Sequence, residues 1–113
     1  QDPLFLDLLL KNAASQDPTR RALAFEALIQ SELPGAVDAI TNYVISRPPD
    51  ERKFDVEKLL AYADALAHQQ AKTQAGKAYL TLFQTTDNQE FRRIALGGMK
   101  QFPTPEANAI IQP

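Results

Sequence analysis

Apolar residues recur along this chain at intervals of three and four positions, with polar residues between them. Val56, Leu59, Ala63 and Leu66 show this spacing most clearly. The interval places apolar side chains on one face of an α-helix, and no segment keeps the strict alternation over a strand's length that a β-strand requires. The pattern predicts seven helices, over residues 3–14, 18–31, 35–46, 50–70, 73–85, 88–101 and 104–112.

Prolines and capping residues mark the predicted helix starts. Asp2-Pro3, Asp17-Pro18 and Thr104-Pro105 each place a side-chain acceptor before a proline, which suits the N-cap and the first helical position. The other marks are Pro34-Gly35, Pro48-Pro49-Asp50, the capping-box spacing of Thr86 and Gln89, and a weaker signal near Thr73. The joins are short, as is typical of antiparallel neighbours, so we expect three helical hairpins and a closing helix.

The start of the fourth helix has two interpretations. The segment from Asp50 to Asp55 either extends the helix or forms a charged turn before a helix that begins near Asp55. Because the segment contains no Gly or Pro, the extended helix is favoured.

Three of the helices contain a similar phrase of eight residues. The phrase occupies Arg21–Leu28, Leu59–Leu66 and Arg92–Met99, and its last residues lie 38 and 33 positions apart. Helical repeats that stack into solenoids have periods in this range. The sequence therefore predicts an all-α fold, an α-solenoid of about three helical hairpins plus a closing helix. It forms a single domain over residues 1–113, either whole or as a fragment of a longer array.

The first phrase and its turn resemble the HEAT and HEAT-like (bilin-lyase type) repeat. In that repeat an Asp-Pro turn precedes a helix reading roughly Arg-x-x-Ala-x-x-Ala-Leu, and the chain has Asp17-Pro18 followed by Arg21, Ala24, Ala27 and Leu28. The segment from Asp87 to Met99 is similar, whereas the middle phrase lacks the turn. Tetratricopeptide repeats and an irregular helical bundle are the alternatives.

The HEAT-like resemblance implies a right-handed superhelix with a ladder of ion pairs. Arg21 and Arg92 or Arg93 would pair with acidic residues in neighbouring turns. The candidate acidic positions lie around Asp17, Asp50 and Asp87.

Composition narrows the classes of partner. The chain has 12 basic and 14 acidic residues, so no overall positive field attracts nucleic acid or an anionic membrane surface. The absence of cysteine excludes disulfides and thiolate metal sites, and no apolar run approaches the roughly 20 residues of a membrane span. Because the first residue is Gln1 rather than Met, we expect a trimmed chain or a processed extracytoplasmic protein.

The single histidine is the first candidate for chemistry. His68 follows Asp64 by four positions, so the two side chains can meet on one helix face and orient a general base or contribute metal ligands. A solvent-exposed pair near the helix end is favoured, since a zinc site takes three or four ligands and no second His exists. The sequence therefore predicts no catalytic, cofactor-binding or metal-binding residues, and no enzyme activity.

Two further features stand outside the apolar pattern. The charged residues around the start of the fourth helix have two interpretations, a docking patch or cation site and a solvent-exposed helix face. These residues are Glu51, Arg52, Lys53, Asp55, Glu57 and Lys58. In the sixth helix, Gly97 and Gly98 each cost about 1 kcal/mol relative to Ala. The predicted reason is close approach of another backbone, from the closing helix or the fifth, and the alternative is a ligand or partner helix that packs there.

The predicted function is that of a non-catalytic protein-protein interaction or scaffold module. Stacked hairpins leave a concave surface lined by their second helices, and the candidate partner-binding residues there are Arg20, Lys58, Tyr62 and Arg93. The partner would be another protein or flanking repeats of a larger protein. The alternative implied by the resemblance is an accessory subunit or lyase-type enzyme that binds a small hydrophobic ligand. Nucleic-acid binding through the adjacent arginines, Arg20-Arg21 and Arg92-Arg93, is disfavoured because the chain has more acidic than basic residues.

Overall fold

The helices begin and end close to their predicted positions. The structure, a computed structural model, describes residues 3–111, with side chains from 6 to 109. Within this range the chain forms α1 (Pro3–Ala13), α2 (Pro18–Ser31), α3 (Val37–Ser46), α4 (Lys53–His68), α5 (Lys72–Thr85), α6 (Gln89–Gln101) and α7 (Pro105–Ile111), with 3₁₀ turns at Pro34–Ala36 and Pro49–Glu51 and no β-strand. The all-α prediction is confirmed. The start signal at Asp2 and the end at residue 112 lie outside the described residues.

None of the described helices combines the length and the apolar character needed to cross a membrane.

Side-chain caps explain three of the helix starts. Asp17 accepts a hydrogen bond from the amide two residues later at 2.9 Å, and the Thr104 hydroxyl accepts one from the amide three residues later at 3.1 Å. At α6 the N-cap is Asn88, which accepts from two amides of the first turn at 2.9 and 3.1 Å. The capping box predicted from Thr86 and Gln89 is therefore wrong, because Asn88 caps the helix instead.

The prediction of an unbroken fourth helix from residue 50 is also wrong. Residues Pro49–Glu51 form a 3₁₀ turn, and the α-helix begins at Lys53. The turn brings Arg52 back to the end of α3, where its guanidinium donates to the carbonyls of Val44 at 3.0 Å and Ile45 at 2.7 Å. The charged turn followed by a helix is thus the correct alternative.

The last residues of the three repeated phrases lie in the core. Leu28, Leu66 and Met99 are fully buried on α2, α4 and α6. The other large side chains with almost no exposure include Phe25, Ile40, Val44, Leu59, Tyr62 and Leu82. Burial of an apolar side chain of this size contributes about 1.5–3 kcal/mol, so each of these positions adds to the stability of the fold.

Helix α5 is central to the packing. It lies along α4 and α6 and also contacts α3 and α7, while α1 packs on α2. Helix α4 packs more extensively against α5 than against α3, its predicted hairpin partner. The chain measures 38 × 32 × 19 Å, and its thin dimension corresponds to about two helix diameters.

Three arginines bind carbonyl oxygens at the ends of helices. Arg21 donates to the carbonyl of Ser15 at 3.1 Å after α1, and Arg52 donates to two carbonyls in the last turn of α3. Arg92 donates to the carbonyls of Phe83 at 2.9 Å and Thr86 at 3.3 Å at the end of α5. The last carbonyls of a helix have no partner within it. Arg52 and Arg92 donate to such groups, whereas Arg21 binds a carbonyl in the turn that follows α1, and each arginine thereby joins two successive helices.

These contacts replace part of the ion-pair ladder implied by the resemblance. Within the described part of the chain, neither Arg21 nor Arg92 forms an ion pair. For Arg92, the carbonyl of Phe83 in the last turn of α5 carries the partial negative charge of the helix dipole, which attracts a cation. Arg93 does pair with an acidic residue near Asp87, namely Glu90.

The side chain of Tyr79 accounts for Gly98. A Cβ at Gly98 would overlap the Tyr79 ring, whereas a Cβ at Gly97 would meet nothing within 4 Å. The fifth helix therefore makes the close approach, but through a side chain rather than through its backbone. Close approach of a backbone occurs instead at Gly76 in α5, where a Cβ would overlap the carbonyl oxygen of Phe102.

Alanine substitutions at the paired glycines should have opposite effects. Gly98→Ala should lower the free energy of unfolding by about 1–3 kcal/mol, because the added methyl overpacks Tyr79. Gly97→Ala should raise it by up to about 1 kcal/mol, because alanine has the higher helix propensity and open space receives the methyl. Urea denaturation measures both, and equal effects of the same sign would contradict the assignment of Gly98 to a packed contact.

Adjacent arginines in α6 provide a second matched pair. Arg92→Gln should lower the free energy of unfolding by about 1–3 kcal/mol, since two carbonyls lose a charged donor. It also removes the guanidinium that lies 4.1 Å from the centre of the Phe83 ring. Arg93→Gln removes the same charge from an exposed site and should change stability by less than about 1 kcal/mol. Chemical denaturation measures both variants, and equal losses of the free energy of unfolding would refute the helix-end role of Arg92.

Candidate functional site

The four predicted partner-binding residues lie in different environments. Arg20 on α2 and Arg93 on α6 have side chains that are 69% and 75% exposed. Each pairs with an acidic residue three positions before it, Asp17 at 3.9 Å and Glu90 respectively. Exposed pairs of this kind contribute only about 0–1 kcal/mol, so a partner can compete for either guanidinium.

Lys58 connects α4 with α2. Its ammonium group pairs with the carboxylate of Glu26, and both side chains are partly exposed. The pair joins α4 to α2 across 32 positions of sequence. Lys58 is therefore a surface residue whose position is set by its neighbour on α2.

Tyr62 is a core residue rather than a surface contact. It is 1% exposed, and its hydroxyl donates a hydrogen bond to the carbonyl of Leu33 at 2.5 Å. Burial, and to a lesser degree the negative charge of Asp38, raises the pKa of Tyr62. Its assignment to the partner-binding set is corrected, because a side chain this buried offers no surface to a partner. Tyr62 follows Leu59 by three positions and so belongs to the buried stripe of α4.

The charged cluster at the start of α4 divides into separate interactions. Asp55 is 5% exposed and accepts a hydrogen bond from Nε of Arg47 at 2.9 Å, an interaction that raises the pKa of Arg47. Arg52 binds the end of α3, and Lys53 and Glu57 remain exposed. Among the described residues, no group of three or more acidic, histidine or cysteine side chains is arranged to hold a metal ion.

A cleft opens between the start of α4 and the join of α5 and α6. Its volume is about 290 Å³, and we name it the Phe54 cleft. Phe54, Val56 and Phe91 supply apolar surface, while Lys53 and Asp87 contribute charges of opposite sign. Phe54 is 73% exposed, the highest value among the large hydrophobic side chains of the described residues. The cleft therefore combines an accessible aromatic ring with a mixed-charge rim.

The sequence contained a signal for Phe54 that the charged-cluster interpretation did not use. Phe54 precedes Val56 by two positions and Leu59 by five, so it points away from the apolar stripe of α4. An aromatic residue off the stripe indicates an exposed ring. Only the neighbouring hairpin, through Phe91, turns that ring into part of a cleft.

Asp64 serves a structural contact instead of pairing with His68. Its Oδ1 accepts a hydrogen bond from the hydroxyl of Tyr79 at 2.5 Å, and His68 is exposed at the end of α4. Burial, and then this hydrogen bond, raises the pKa of Tyr79. Because the same ring packs on Gly98, Tyr79 connects α4, α5 and α6.

No protein-family model, curated protein or solved structure matches this chain.

The buried tyrosines predict how stability depends on pH. The pKa values of Tyr62 and Tyr79 are raised in the folded chain, so above about pH 10 the unfolded chain releases these protons first. Their contribution to the free energy of unfolding should be complete below about pH 10 and decrease as the pH rises. Urea denaturation between about pH 8 and pH 11 measures this decrease. The double variant Tyr62→Phe, Tyr79→Phe should show a shallower decrease, and an unchanged one would contradict the raised pKa values.

Proposed function

We propose that this chain is a non-catalytic protein-interaction or scaffold module, built as a short HEAT-like α-solenoid, whose partner lies across the second helices α2, α4 and α6. The observation that carries the proposal is Phe54, 73% exposed beside a cleft formed by two successive hairpins. Contact of a large aromatic ring with water is unfavourable, and its burial by a partner would recover that free energy. Aromatic anchors beside a cleft are common in protein interfaces.

Contacts between like helices support the solenoid part of the proposal. The Glu26–Lys58 pair links α2 with α4, and α4 and α6 line the Phe54 cleft together. Helix α3 contacts both α1 and α5. Solenoids depend on such contacts between successive repeats, and the second helices then present a continuous surface.

The charge of this surface favours a protein partner. Arg20 and Arg93 are exposed near the acidic residues Asp17 and Glu90, and Lys53 and Asp87 share the Phe54 cleft. A surface of mixed sign suits a polypeptide with both kinds of charge, whereas a nucleic-acid site would require an excess of positive charge. The partner would place an apolar side chain against Phe54 and contact Arg20 and Arg93 outside the cleft.

A site-specific crosslinking experiment tests the proposal. A photoreactive phenylalanine analogue replaces Phe54 in one variant and Leu8, an exposed apolar residue of α1, in a control variant. Illumination in the cells that make the protein should give a discrete protein adduct from position 54 and not from position 8. The captured partner is then purified and its affinity measured.

The affinity measurement decides the role of the ring. Phe54→Ser should weaken binding of the purified partner at least about tenfold, since interface anchors typically contribute more than 1 kcal/mol. Leu8→Ser should leave affinity unchanged, and both variants should melt near the wild-type temperature because their side chains are exposed. Absence of a position-54 adduct, or an affinity unaffected by Phe54→Ser, would refute the proposal.

A further inference from the structure

A second cavity lies between α1 and α3 and has a volume of about 530 Å³. Leu10, Ala13 and Ala39 provide apolar surface in it, together with Tyr43. Among the described residues that line it, Arg21 is the only one with a formal charge. We name this cavity the Arg21 groove. Its size falls within the range of small-molecule sites, which combine an apolar wall with a few polar groups.

The guanidinium of Arg21 retains unused donors. Its Nη1 donates to the carbonyl of Ser15, and within the described part of the chain Arg21 forms no ion pair. The side chain is partly buried, which strengthens its attraction for an anion relative to a fully exposed arginine. The remaining N–H groups match the planar geometry of a carboxylate.

Charge complementarity leads to one class of ligand. We propose that the Arg21 groove binds a small monocarboxylic acid with an apolar body, whose carboxylate contacts Arg21 and whose body lies against Leu10, Ala13 and Ala39. This site is separate from the proposed partner surface and does not depend on it. Asn42 and Gln16 add uncharged polar groups to the same groove.

The surroundings of the groove argue against a second negative charge on the ligand. An adjoining cavity of about 200 Å³ shares Arg21, Tyr43 and Ser46 with the groove and is also lined by Glu51. The other arginine of that cavity, Arg47, is paired with Asp55. A dicarboxylate or polyphosphate would therefore meet Glu51 without a second available cation, while one carboxylate is satisfied by Arg21.

NMR titration of the isotope-labelled chain with three eight-carbon probes tests whether binding requires a negative charge on the ligand. Octanoate should produce saturable shifts in amides of the Arg21 groove, including those of Ala13, Ala39 and Asn42. Octanol, which keeps the apolar body, should bind at least about tenfold more weakly, and octylamine should give no saturable shifts there. Equal binding of octanol and octanoate would refute the role of Arg21, and octanoate shifts confined to the Phe54 cleft would refute the location.

Variants of the chain test the roles of Arg21 and of the groove itself in binding octanoate. Arg21→Gln should weaken octanoate binding at least about tenfold, whereas Arg20→Gln, with the same change of net charge outside the groove, should leave it within about twofold. Because Arg21→Gln also removes the contact with Ser15, Ala39→Leu provides an independent test that fills the groove and retains the arginine. It should reduce octanoate binding to a similar degree.

The proposal is overturned if Ala39→Leu, folded as judged by its amide spectrum, binds octanoate like the wild type. Equal weakening by Arg20→Gln and Arg21→Gln would overturn it as well, because the effect would then reflect net charge alone.

Discussion

Unpaired carbonyl groups at helix ends are the constraint on which the arrangement of these helices depends. The last turn of every α-helix leaves carbonyl oxygens without partners inside the helix, and a chain of short helices has many such ends. Arg21, Arg52 and Arg92 supply charged donors at the ends of α1, α3 and α5. After α2, the hydroxyl of Tyr62 and the amide of Gln69 donate to the carbonyls of Leu33 and Glu32. Side chains from later in the chain thus bind the backbone at four of the joins, those after α1, α2, α3 and α5.

The second constraint is the close packing around α5. Tyr79 lies on Gly98 of α6 while its hydroxyl donates to Asp64 of α4, and Gly76 admits the backbone at Phe102. These contacts leave no room for a Cβ at either glycine. The position of α5 between α4 and α6 therefore depends on two small residues and one aromatic ring, and this packing brings the start of α4 near the start of α6.

Both candidate sites lie beside these joins. The Phe54 cleft is bounded by the turn that carries Arg52 and by the join of α5 and α6, and the Arg21 groove includes the residues that end α1. The two sites differ in chemistry, since the cleft presents an exposed aromatic ring with charges of both signs, and the groove presents a single positive charge above apolar residues.

The sequence by itself determined the seven helices, most of their boundaries and the burial of Leu28, Leu66 and Met99. These features depend on apolar spacing and on capping within a few positions of chain, which the sequence displays directly. Only the tertiary structure decided that Tyr62 is buried, that Arg21 and Arg92 bind carbonyls, and that Tyr79 packs on Gly98. It likewise placed Phe54 in a cleft and Arg21 in a groove. Each of these outcomes depends on which side chains and backbone groups come within a few ångströms of one another when the helices pack. These groups are distant in the chain or occupy equivalent positions along it, and local periodicity carries no information about which of them meet.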